Sequence, residues 1–182
     1  MSVRNVSVQQ KTGDLAFTLA TWLYLLARAG HLPSEGAVRD ALNGLLGLDP
    51  AADAEAAGAV LVGAVKGSLG DAGEPAEVEA LLVGLFGAGH LEAAPGGDRA
   101  ATLHALRAYH FRSGLPWLAR VVSRSEDGSI GLHWLLVEHV ADEVIIMDPY
   151  PWDDVEEQLS LPSVDFLVRW ELAGRIALRW RA

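Results

Sequence analysis

An α+β fold, with a helical N-terminal half packed on a C-terminal antiparallel sheet, is what this 182-residue sequence predicts. Two observations carry the prediction. From Leu15 to Arg112 the apolar residues recur at helical spacing between Gly, Pro and Asp turn signals. From Leu115 onward they alternate along short runs bounded by turns, which is the period of a strand.

The first helix is expected over "LAFTLATWLYLLARA", with Asp14 as its cap and Gly30 as its stop. Its apolar length falls short of the roughly 20 residues that a membrane span needs, and Arg28 lies inside it. A buried central helix is the expectation, although Ala27-Arg28-Ala29 imitates a signal-peptide cleavage site. Ser34 is expected to cap a second helix, whose stripe of Val38, Leu42, Leu45 and Leu46 stops before Gly47 and Asp49-Pro50. Residues 51–70 read as a weak helix, because each interior Gly costs roughly 0.5–1 kcal/mol relative to Ala. Pro75 opens a fourth helix. "EAAPGGDR" reads as a loop, and Asp98 as the cap of a helix carrying Leu103, Leu106, Arg107, Tyr109 and Arg112.

In the C-terminal part, "LPWLARVVSR" sets Trp117, Ala119 and Val121 on one side and Leu118, Arg120 and Val122 on the other. "IGLHWLLVEHV", "EVIIMD" and the final "GRIALRWR" complete four expected strands. The whole chain, 1–182, is expected to be one domain.

Charge and composition narrow the function classes. A formal net charge of -10 repels phosphate backbones and anionic lipid, so nucleic acid is not an expected partner; a neutral or cationic peptide is easier to accommodate. Between Ser34 and Asp98 eleven acidic residues face only Arg39 and Lys66, which concentrates the negative charge there. No cysteine is present, which removes disulfides, thiolate nucleophiles and Cys-ligated metals together. His104 and His110 do not share a helix face. His133 and His139 are expected to share a strand face, too far apart for one metal. No metal and no cofactor are expected. Neither is membrane insertion, and the expected location is the cytoplasm.

Chemistry is concentrated in "GLHWLLVEHVADEVIIMDPYPWDD", where His133 stands near the start of one apolar run and Asp148 at the end of the next. A carboxylate bonded to an imidazole fixes its tautomer and orients it as a base. Alternatively, His133 is a rim histidine bonded to a backbone carbonyl. Trp134, Tyr150 and Trp152 would form an aromatic rim suited to an extended peptide, or else pack as ordinary core and surface residues.

Taken in order, these segments resemble the papain-like leader peptidases that cleave bacteriocin precursors after a double glycine. That family begins with a Gln followed by an Asp-Cys-Gly that opens a helix. Here Gln9 precedes Asp14, Leu15 stands in place of the nucleophilic Cys, and Ala16 in place of the Gly. A short "LP" segment, matching Leu115-Pro116, heads a strand of the family. His133 in "HWLLVEHV", Asp148-Pro149, and the closing Phe166, Trp170 and Gly174 match its later motifs. Residues 45–98 are longer than the family's helical segment and read as an acidic elaboration.

The resemblance implies a bacterial, papain-like fold in which Gln9, His133 and Asp148 are a vestigial catalytic frame. In the family the imidazole takes the thiol proton, the aspartate orients it, and the glutamine helps hold the oxyanion. Leu15 has no proton to lose. A domain that binds a peptide or protein segment without cutting it, in peptide maturation or secretion, is therefore the expected function. Two alternatives stand beside it: an enzyme using His133 and Asp148 on a non-peptide substrate, and a structural or regulatory subunit whose contact surface is the acidic middle.

Overall fold

A computed structural model describes residues 15–48, 54–69, 74–93, 98–124, 130–147 and 158–181. The chain is α+β, with helices and an antiparallel sheet, and forms two compact units, Met1–Gly89 and His90–Ala182.

The first unit is helical. Helix α1 (Leu15–Arg28) is buried on nearly every side, from Ala16 through Leu23 and again at Leu26 and Ala27. That accounts for its uniformly apolar sequence without any membrane. Among the described residues no helix is long and apolar enough to cross one. Gly30, at φ 93°, ends the turn after α1 in a backbone region that side-chain-bearing residues avoid.

Helix α2 (Ala37–Leu46) starts later than the Ser34 cap predicts. Its cap is Gly36, at φ 99°, while the Ser34 carbonyl accepts a hydrogen bond from the Arg39 guanidinium. Helix α3 (Ala54–Leu69) keeps its interior glycines and buries Leu61, Val62 and Val65. It packs against α1, α2 and α4 (Pro75–Phe86), so tertiary packing offsets the weak local propensity. Pro75 takes the first turn of α4, as its fixed φ favours, and the Glu74 N–H donates to the Glu77 carboxylate at 3.4 Å.

The second unit is a six-stranded sheet, β1 (Leu91–Ala93), β2 (Trp117–Arg124), β3 (Ile130–Val140), β4 (Glu143–Met147), β5 (Gln158–Pro162) and β6 (Ala177–Trp180), in the order β1-β6-β2-β3-β4-β5. Every neighbouring pair is antiparallel. Two of these strands went unread in the sequence. β1 takes Glu92 and Ala93 from the expected loop, and β5 precedes a helix, α6 (Ser163–Leu172), that the strand pattern did not anticipate.

One face of the sheet carries the core. Trp117, Ala119 and Val121 of β2 lie on one side, as their alternation predicted, and Leu135 and Val137 of β3 and Ile146 of β4 face the same side. Helix α5 (Arg99–Ser113) adds Leu106 and Tyr109, and α6 adds Phe166, Leu167 and Trp170. Trp117 meets Phe166 edge-on at 6.0 Å and Trp170 at 5.6 Å, geometries that suit aromatic quadrupoles. The other face carries a cross-strand row, Leu178, Leu118, Leu136 and Met147, that is also buried.

Local bonds hold the two covering helices. The Ser163 hydroxyl lies 2.7 Å from the carbonyl of Ala141 and 2.8 Å from that of Asp142, tying the start of α6 to the β3–β4 turn. The Trp170 indole N–H donates to the Ile176 carbonyl at 2.9 Å, tying its end to β6. Asp98 caps α5 as expected, its Oδ1 accepting the Ala101 N–H at 2.8 Å. Replacing it in Asp98→Ala leaves that donor to water and should lower unfolding free energy by about 1 kcal/mol, read from urea denaturation midpoints.

Candidate functional site

His133 lies on β3, half-buried, with Val121 of β2 as its cross-strand partner. Paired residues share a face, so His133 points to the side of the sheet that α5 and α6 cover. Its position on a well-paired strand fixes the backbone, while its partial exposure leaves part of the ring accessible.

β4 pairs with β3 from Val140 to Leu136, where the partner is Met147. Leu136 is three residues from His133, about 10 Å along the strand. Asp148 follows Met147 in the chain. It lies outside the described residues, as do Gln9, Tyr150 and Trp152.

Leu15 is the first described residue of α1 and is half-buried. It belongs to the first unit and His133 to the second. Leu15 brings an aliphatic side chain where nucleophilic catalysis needs an ionisable one. Thr18, one turn further along α1, is 1% exposed, so its hydroxyl is enclosed in the helical core.

Trp134 does not flank His133. The two are consecutive on β3, and Trp134 pairs with Arg120, which places it on the opposite face, 5% exposed. Strand alternation forbids two neighbours from lining one rim. On Trp134's face the strand continues outward through Leu132 and Ile130, which are 56% and 75% exposed. These exposed apolar residues were missed in the sequence, where the alternation that groups them with Trp134 is nonetheless visible.

His133 and His139 do not share a face either. A register shift between Val137 and His139 makes Val137 and Val140 partners of Ile146 and Val144, which both point into the core. His139 pairs with Ile145 on the other side. One extra residue in the bulge reverses the parity that an unbroken strand would keep.

The cluster that does unite segments distant in the sequence is aromatic. Trp117, immediately after Leu115-Pro116, packs on Phe166 and Trp170. Gly174, at φ 86°, allows the turn that brings the end of α6 back to β6.

No family model, curated protein or solved structure matches this chain.

Proposed function

We propose that this protein is a peptidase-like domain of the papain-like leader-peptidase type that holds a peptide without cutting it. The observation that carries the proposal is the arrangement of the motif segments on the sheet. The segment headed by Leu115-Pro116, the strand bearing His133, and the strand that runs into Asp148-Pro149 are β2, β3 and β4, three immediate neighbours. The Phe166 and Trp170 of the closing motif pack against Trp117 at the head of β2.

Loss of cutting follows from the residue in the nucleophile's place. Acyl transfer by a cysteine peptidase needs a thiolate, and the chain contains no cysteine and has Leu15 there. An imidazole that no longer serves a nucleophile still donates or accepts a hydrogen bond. At the rim of a peptide groove it would anchor a backbone carbonyl or N–H of the bound segment.

Titration calorimetry against leader-like peptides ending in Gly-Gly tests the proposal. Micromolar binding without cleavage is expected, with His133→Ala weakening it about tenfold. The melting temperature of that variant should move by no more than a few degrees, because a half-buried strand residue away from the aromatic cluster contributes about 1 kcal/mol or less. Binding no tighter than about 1 mM across the panel would overturn the proposal.

A further inference from the structure

We propose a second binding surface, beyond the peptide-holding function: a groove between α2 and α3 that accepts a cationic amphipathic helix from a partner protein. The groove encloses 560 Å³ and belongs wholly to the first unit. Ala37, Ala41 and Gly44 of α2 line one side, and Ala57 and Ala64 of α3 the other. Small side chains on both helices let a third backbone approach closely, and their spacing is that of helix ridges.

Two large apolar residues of the groove stand in solvent, Leu48 at 44% and Val60 at 63% exposure. A helix of about three turns matches α2, whose ten residues span roughly 15 Å. It would cover both residues in the helix-in-groove mode, with its own apolar residues at i, i+3 or i+4, and i+7.

Charge selects the occupant. Among the described residues Asp40 is the one ionisable residue lining the groove, and it is exposed. Its neighbour Arg39 is turned back onto the Ser34 carbonyl, so it does not neutralise the opening. From Ser34 to Gly89 nine acidic residues stand against Arg39 and Lys66. An apolar helix edged with Lys or Arg gains on approach; a second copy of this chain, with its net charge of -10, is repelled.

Gly44→Leu is the natural obstruction. A Cβ there meets nothing within 4 Å, so the added side chain extends into the groove while the helix gains a better helix former. The probe is a fluorescein-labelled Leu/Ala/Lys amphipathic peptide of about four turns, with a Leu/Ala/Glu counterpart, both followed by anisotropy on the full chain. The Lys peptide should bind in the micromolar range and the Glu peptide should not. Gly44→Leu and Asp40→Lys should each weaken the Lys peptide about tenfold or more, and His133→Ala should leave it unchanged.

Lys-peptide binding that survives Gly44→Leu would mean diffuse attraction to the acidic surface, and would overturn the proposal. So would the absence of binding at hundreds of micromolar. Light scattering that shows a dimer dissolved by Gly44→Leu would instead make a second copy the occupant. Because His133→Ala separates the two surfaces, failure here and failure of the peptide-holding function are read independently.

Discussion

Installing a single cysteine in place of Leu15 should create a thiol whose alkylation midpoint lies well below the pH of about 8.5 expected for a free cysteine. The chain has no native thiol, so iodoacetamide reports on this position alone. A neighbouring imidazolium and the helix dipole both favour a thiolate in the family frame that the proposed function invokes. The pH midpoint is the readout, because a lower pKa also makes a thiolate intrinsically less nucleophilic and blunts the change in rate. Adding His133→Ala to the Leu15→Cys variant should return the midpoint upward. A midpoint at or above the free value in the single variant would count against a vestigial frame of Leu15 and His133, and so against the proposed function.

The largest loss of stability should come from Trp117→Ala. Its side chain is fully buried and contacts both Phe166 and Trp170, so truncation leaves a cavity between β2 and α6 that rigid neighbours fill poorly. A cost of about 3–5 kcal/mol is expected, which for a chain of this size lowers the melting temperature by roughly 10 °C. The effect should far exceed that of His133→Ala. A drop of only a degree or two would mean that the aromatic cluster does not hold the covering helix on the sheet.

The elements that were legible in the sequence are those with a dense or strictly periodic apolar pattern, or with ends that carry specific chemistry. α1 was legible from its apolar density, α5 from Asp98, α4 from Pro75, and β2 from the strict alternation of Trp117, Ala119 and Val121. α6 was not, because its inward residues Phe166, Leu167 and Trp170 lie among exposed Val164, Val168 and Leu172. A helix with apolar residues on its solvent side blurs the periodic signal. β1 was not legible because three residues make no period, and its pairing with β6 joins segments nearly ninety residues apart.

The candidate site divides the same way. The sequence alone picked out His133 as the histidine on an apolar run, and the empty cysteine count alone removes thiolate chemistry. Strand alternation already sets Trp134 on the face opposite His133, because consecutive strand residues point in opposite directions; which residues of neighbouring strands share the face of His133 is decided only by the register.

The α+β class, most of the helices, the alternation along β2 and the absence of a thiol follow from local pattern and composition. Only the tertiary structure decided the sheet order, the bulge that parts His133 from His139, the aromatic joint between β2 and α6, and the open groove between α2 and α3. Those features depend on contacts between separate elements, which the periodicity of one element cannot encode. A single inserted residue in a strand changes every face assignment beyond it, and the cost of that change appears only when the neighbouring strand is in place.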